Sequence, residues 1–226
     1  MPPALTSRMP PPLELDHVFV ATTADEAAGA IGAIEAFGLQ CGGRFVHAGQ
    51  GTANACFFFE NAYLELLWIR DERETRTAAV APLTLAERLR WRETGASPFG
   101  VGVRGAVAPV ATWDYAAPYT GGVAIPMVTP PDTPADPLVF VSPGPRDRQA
   151  FPHAHRPPVA LPGTWPRITG VKVSGPEWPS HEVAAVLERI GVTTDDARMP
   201  LLTLSLGTAR TGAANLQPRL PLILRW

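Results

Sequence analysis

Apolar and polar positions alternate most clearly over residues 62–69. Tyr63, Glu65, Leu67 and Ile69 fall on one face, and Leu64, Leu66 and Trp68 on the other, the period of a β-strand. A second strand is expected just upstream, over residues 52–60, joined to the first by a tight turn. Residues 15–21 give another alternating run, with Leu15, His17 and Phe19 on a common face. Thr23 and Glu26 then form a capping box. It opens a helix whose stripe is Ala24, Ala27, Ala28, Ile31 and Ile34, closed by Gly38. Residues 39–47 read as a strand, and the polar loop 48–51 turns it into 52–60. The first 70 residues are thus β-α-β-β-β.

The pattern weakens beyond that point. Residues 71–81 are charged and alanine-rich, a linker. Pro82 fits the first turn of a helix running to about Glu93, with Leu85, Leu89 and Trp91 among its apolar positions. Residues 97–104 form a strand whose glycines permit close backbone approach. Residues 105–120 carry Trp113, Asp114, Tyr115 and Tyr119, and read either as an ordered loop with aromatic anchors or as a lid over a cavity. Strands are expected at 121–128 and 137–142, then a proline-rich loop, 143–166, bearing His153 and His155. Residues 168–174 resemble 15–21, and Ser180 caps a helix with Val183, Val186, Leu187 and Ile190. Strands at 200–207 and 220–226 follow. One ungapped offset aligns Gly170 with His17, Gly191 with Gly38 and Pro218 with Glu65, so the repeat carries the framework and not the polar residues. The organisation expected is an N-terminal arm (1–12), a first module (13–70), a linker and helix (71–96), a helix-poor second module (97–142), the loop 143–166 and a third module (167–226).

Composition narrows the classes. The chain of 226 residues can bury a real core. A net charge of −2 gives no global field to recruit nucleic acid or an anionic membrane. No window of about 18 uninterrupted apolar residues exists, so no membrane span is expected, and the default compartment is a bacterial-type cytoplasm. The 26 prolines imply loop-rich architecture between short strands. Cys41 and Cys56 lack metal spacing and are expected to be reduced residues in strands.

Glu65 is the chemical anomaly, because a carboxylate in an apolar strand is costly to bury without a partner. Its two readings are an acid/base or metal ligand in a cavity, and a solvent-facing residue on an edge strand. His17 likewise reads as a site residue or as a satisfied core histidine. The turn at 49–54 offers Gln50, Thr52 and Asn54 as donors and acceptors, and Asn54 is expected on a polar rim near His17.

The stretches LDHV and YLELL at the two ends of the β-α-β-β-β unit resemble the vicinal oxygen chelate superfamily. HAGQGTANACFFFENAYLELLW, SPFGVGVR, TWDYAAPY and PRITGVKV resemble more narrowly its bacterial glyoxalase-like members, over about residues 13–226. The resemblance implies an α+β fold of repeated βαβββ-type modules, as in glyoxalase, bleomycin-resistance and dioxygenase proteins. Curved mixed sheets would enclose a cavity, with helices outside. First and last strands of a module would be neighbours, bringing His17 and Glu65 together inside. Metal enzymes of the family take a ligand from the first and fourth strand of each of two modules. His17 and Glu65 fit the first pair, and the strands at 97–103 and 137–142 offer no ligand-type side chain. His153, His155 or Asp114 would have to substitute from loops. No cofactor is therefore expected, and a divalent metal has only a half-filled set, His17 and Glu65.

Two functions follow. One is a lyase- or isomerase-type enzyme acting on a small carbonyl-bearing or enolisable substrate, with Glu65 moving a proton and His17 holding or polarising the substrate. The other is a small-molecule binding or sequestering protein of the same fold, in which Tyr63, Phe57, Phe59, Trp113 and Tyr115 stack on the ligand. The expected partner is a small molecule, not nucleic acid or membrane, and a homodimer is left open.

Overall fold

A computed structural model describes residues 12–143, 167–176, 179–207 and 211–226. The expected N-terminal arm lies almost wholly outside these residues, as do His153, His155 and nearly all of the 143–166 loop. Strand β1 (Glu14–Ala21) leads into helix α1 (Ala24–Glu35). Strands β2 (Gly43–His47), β3 (Thr52–Phe58) and β4 (Tyr63–Ile69) complete the first module. Thr23 caps α1 by accepting a hydrogen bond from the Glu26 amide at 3.2 Å, and Gly38 adopts the left-handed conformation (φ 87°) just after it. The buried stripe of α1 is Ala27, Ala30, Ile31 and Ile34, so Ala24 and Ala28 belong to its exposed side. Strand β2 begins at Gly43, which leaves Cys41 in the preceding loop rather than in a strand; both cysteines are free thiols.

The single helix expected from Pro82 is broken. A one-turn helix, α2 (Glu72–Thr75), lies in the expected linker, and a 3-10 turn (Ala81–Leu83) and two one-turn helices, α3 (Leu85–Arg88) and α4 (Trp91–Thr94), take the place of the expected helix. The break follows from Arg88, which is fully buried. Its guanidinium donates to the carbonyls of Leu83, Thr133 and Asp136, which satisfies the buried charge.

Strands β5 (Phe99–Arg104), β6 (Trp113–Ala116), β7 (Ala124–Met127) and β8 (Leu138–Val141) form the second module, without a helix of its own. Modules one and two share one open eight-stranded mixed sheet of order β2-β3-β4-β1-β5-β8-β7-β6. The two halves mirror each other: β1 runs parallel to β4, β5 runs parallel to β8, and β1 and β5 meet antiparallel at the centre. The fold is α+β of the expected type, with first and last strands of each module adjacent.

Residues 167–226 build a second sheet from β9 (Ile168–Gly175), helix α5 (His181–Arg189), β10 (Val192–Asp196), β11 (Leu201–Leu206), β12 (Ala213–Asn215) and β13 (Leu222–Arg225). Its order is β10-β9-β11-β13-β12, with β9 parallel to β10. The element order resembles that of residues 13–70, and the strand pairing differs. This unit packs on the outer face of the large sheet. Phe99, Val101, Val103 and Val139 of the second module share one core with Val173, Val183, Leu187 and Leu202. Asn61 fastens the junction, donating to the Ile168 carbonyl at 2.8 Å and accepting from its amide at 2.9 Å. No helix among the described residues is long and apolar enough to cross a membrane.

Candidate functional site

The inner face of the large sheet is set by register. His17 lies beside Tyr63 on β4 and Gly102 on β5; Phe19 lies beside Glu65 and Gly100. Glu65 pairs with Cys56, and Gly102 with Phe140. Residues from strands β1 to β4 and β6 to β8 line one cavity of about 270 Å³. Glu65 is on an interior strand, and both it and His17 are buried, at 5% and 4% exposure, so neither is a wet edge residue.

His17 is held on all sides. Its ring stacks on Tyr63 (4.4 Å between centroids, planes 13° apart) and meets the edge of Phe140 at 5.3 Å. Nδ1 is 2.7 Å from an Asp16 carboxylate oxygen. Neighbours in a strand ordinarily face opposite ways. A β-bulge between Leu15 and His17 turns Asp16 toward its neighbour's ring. Behind it, Arg104 pairs with Asp16 at 3.2 Å. Burial pushes the Asp16 carboxyl up, but the bond and charge of His17, a Ser142 hydrogen bond and Arg104 together hold it below the usual carboxylate range.

Glu65 is held from the opposite side. Asn54 donates through Nδ2 to Glu65 Oε1 at 2.8 Å, while its Oδ1 accepts from the Phe45 amide at 3.1 Å. The second carboxylate oxygen, Oε2, lies 3.6 Å from His17 Nε2, too long for a hydrogen bond. Two reactive atoms therefore face the cavity across a gap, each fixed through its other end.

A further polar chain runs from Asn54 to the far wall. His47 Nε2 is 3.5 Å from Asn54 Nδ2, and His47 Nδ1 is 2.9 Å from Thr52 Oγ1. Gln50 donates to Thr52 Oγ1 at 2.8 Å and accepts from the Tyr115 hydroxyl at 3.0 Å. Burial keeps the His47 imidazole below its ordinary value, with Glu65 opposing and His17 reinforcing that shift. Tyr119 stacks on His47 at 4.6 Å. Burial pushes the Tyr63 phenol well up, as it does the Tyr115 phenol and the Cys56 thiol, and Glu65 adds to the effect at Tyr63 and Cys56. All three stay protonated near neutrality.

Of the residues expected at the site, His17, Glu65, Asn54, Tyr63 and Tyr115 line the cavity. Phe57 and Phe59 do not. Cys56 is opposite Glu65, so the odd-numbered positions of β3 turn to the α1 side, where both phenylalanines are fully buried with Ile31 and Ile34. Trp113 shares the inner face but lies outside the lining, its indole N–H donating to the Thr129 carbonyl at 2.8 Å. The segment 105–120 is irregular as far as residue 112 and then folds as β6 and a 3-10 turn, with Tyr115 only 2% exposed. Asp16 and His47 have no part in the sequence-based site; Gln50 and Tyr119, expected only as turn and loop residues, also line the cavity.

The family's metal position fits poorly here. Ligands would be needed from β5 and β8, and the inward positions next to His17 there are Gly102 and Phe140. A Cβ built on Gly102 would overlap the His17 ring, so the ring itself occupies the place of a third ligand. Among the described residues, no three His, Cys, Asp or Glu side chains are grouped to hold a metal ion.

The family model for a glyoxalase-like domain matches residues 15–132, a span containing Asp16, His17, Asn54, Glu65 and Tyr115. No curated protein matches the chain. Among solved structures, a hypothetical protein from Staphylococcus aureus shares the fold with a TM-score of 0.59, at 12% identity, over 94% of this chain and 98% of that one. A hypothetical protein from Bacillus halodurans C-125 aligns at 14% identity over 59% of this chain and 96% of that one, with a TM-score of 0.37, too low to carry an argument. With more than half its length matched, and β1 to β7 inside the match, the chain belongs to the glyoxalase-like domain family of the vicinal oxygen chelate superfamily.

Proposed function

We propose that the protein is an enzyme that moves protons on a small carbonyl-bearing or enolisable substrate without a metal. The observation that carries this is the facing pair, Glu65 Oε2 and His17 Nε2, 3.6 Å apart, each anchored from behind. A substrate whose carbonyl oxygen lies against His17 Nε2 and whose α-carbon lies against Glu65 Oε2, on the cavity side of the pair, would meet a base and an acid together. Glu65 Oε2 takes the proton from the carbon next to the carbonyl, and the C–H electron pair becomes the enol double bond. The carbonyl oxygen takes a proton from His17 Nε2. The step requires a proton on each nitrogen of the His17 ring, and Asp16 at Nδ1 offsets the charge. Return of the protons restores the carbonyl; with a hydroxycarbonyl, delivery of the Glu65 proton to the former carbonyl carbon, with loss of the other enediol hydroxyl proton to His17 Nε2, isomerises it. Such positioned acid–base pairs contribute about 10²–10⁴-fold.

The apolar walls favour a second reading, a binding or sequestering protein of the same fold. The two separate by NMR of small hydroxyketones and diketones in D2O. Exchange of the α-hydrogen above the buffer rate, lost in Glu65→Gln, is expected of the enzyme. Ligand-induced thermal stabilisation with no exchange on any compound refutes it and leaves the binder.

A further inference from the structure

We infer that the cavity selects an uncharged carbonyl compound with an apolar arm and rejects carboxylates and phosphates, a conclusion that rests on the cavity being the reaction site. Its described lining contains no lysine or arginine. The polar end holds two carboxylates: Glu65 in the lining and Asp16 directly behind His17. Arg104 does not compensate within the cavity. It lies behind Asp16, and its remaining bonds go to the carbonyls of Leu15 and Asn61. His17 stands between the two carboxylates, so even protonated it leaves no surplus positive charge for an anionic ligand. An anionic substrate group would be taken out of water next to like charge with no counter-ion among the described lining residues, the costliest arrangement for a buried ion.

The opposite wall accepts the other end of the ligand. Leu67, Leu83, Leu85, Ile125, Met127 and Leu138 form a continuous apolar surface. A volume of about 270 Å³ is at or below the lower limit of pockets that take drug-sized ligands, so the arm is short, of the size of one ring or a short branched chain.

The test compares phenylpyruvate with its methyl ester, two enolisable compounds of one carbon skeleton that differ in charge. Binding is read by calorimetry and by thermal shift, and α-hydrogen exchange is followed separately. The ester is expected to bind about tenfold or more tightly than the acid. Glu65→Gln, which removes one charge and keeps the shape, should narrow that gap by strengthening acid binding. Equal or tighter binding of the acid overturns the inference, and so does binding of neither compound. Preference for the ester with no exchange leaves the charge selection standing and refutes the enzymatic reading alone.

Discussion

The two halves of the large sheet share a strand order and differ in what they place inside. The β1–β4 half brings His17, His47, Asn54 and Glu65 to the cavity, with Asp16 behind His17, and α1 covers its back. The β5–β8 half brings Leu138, Phe140, Ile125 and Met127, and residues 167–226 cover its back. The second half also works by omission. A Cβ at Gly100 would overlap Phe19, and one at Gly102 would overlap His17, so the rings of β1 lie across the strand that gave up its side chains. One half supplies reactive groups; the other supplies their walls and fixes their rotamers. The half with no helix of its own is also the half to which a third unit is docked, because its outer valines would otherwise be exposed.

The sharpest way to break this division is to exchange effects between halves. Glu65→Gln should lower substrate turnover by about 10²-fold or more while the melting temperature changes little. Met127→Ala, from the apolar half, should weaken substrate binding and leave the rate of the bound complex nearly intact. A Met127→Ala protein with a rate loss as large as that of Glu65→Gln would show that the division of labour is wrong.

Gly102→Ala comes next in size. Its φ is not in the left-handed region, so the effect is steric, from the methyl group against the His17 ring. Overpacking of this kind costs about 1–3 kcal/mol. Denaturant unfolding should show that loss together with reduced activity, because the ring must leave the Asp16–Glu65 line. The same change at Gly95, where nothing lies within 4 Å of a new Cβ but φ is 74°, reports backbone strain alone and should leave activity unchanged.

Acid should act on the first half before the second. His47 is held below its ordinary value of 6.5, so below about that pH the unfolded chain takes up a proton that the folded chain resists. Stability from this group is complete above 6.5 and is lost as pH falls through the folded value. Asp16, held below 3.8, adds a second loss as pH falls through its own lowered value. Melting temperature against pH should decline in two stages, and His47→Gln should remove the upper one. A profile unchanged by that substitution would show that His47 titrates freely.

The same contrast explains what the sequence made legible. Alternation over residues 62–69 and the capped helix at 24–35 announced the first module, because one buried face and one helix impose clean periods. The second module gave short runs whose four-residue strands carry too little period to set their register. Phe57 and Phe59 lie on the other face for a related reason: the end of β3 is apolar on both faces, and only the polar Thr52 and Asn54 at its start and its pairing with β4 tell which residues face in. Asp16 was hidden by the bulge, since strict alternation turns it away from His17. The helix expected at 82–93 failed because Arg88 is committed to loop carbonyls rather than to a solvent-facing helix surface.

The smallest effect expected is that of metal removal, and it follows from the same asymmetry. A metal centre of this fold draws on both halves, and here the second half has none to give. His17 Nδ1 is committed to Asp16, Glu65 Oε1 to Asn54, and the adjacent inward positions on β5 and β8 are a glycine and a phenylalanine. Two donors, Nε2 and Oε2, would replace little of an ion's hydration, whereas functional zinc sites usually have at least three protein ligands. Extensive treatment with a chelator should therefore leave both the melting temperature and α-hydrogen exchange unchanged, and elemental analysis should find no stoichiometric transition metal. About one zinc, iron or nickel per chain, lost in His17→Ala, would overturn this. It would mean that the ring leaves Gly102 and Asp16 to meet an ion, and that the wall-forming half is not as inert as its side chains imply.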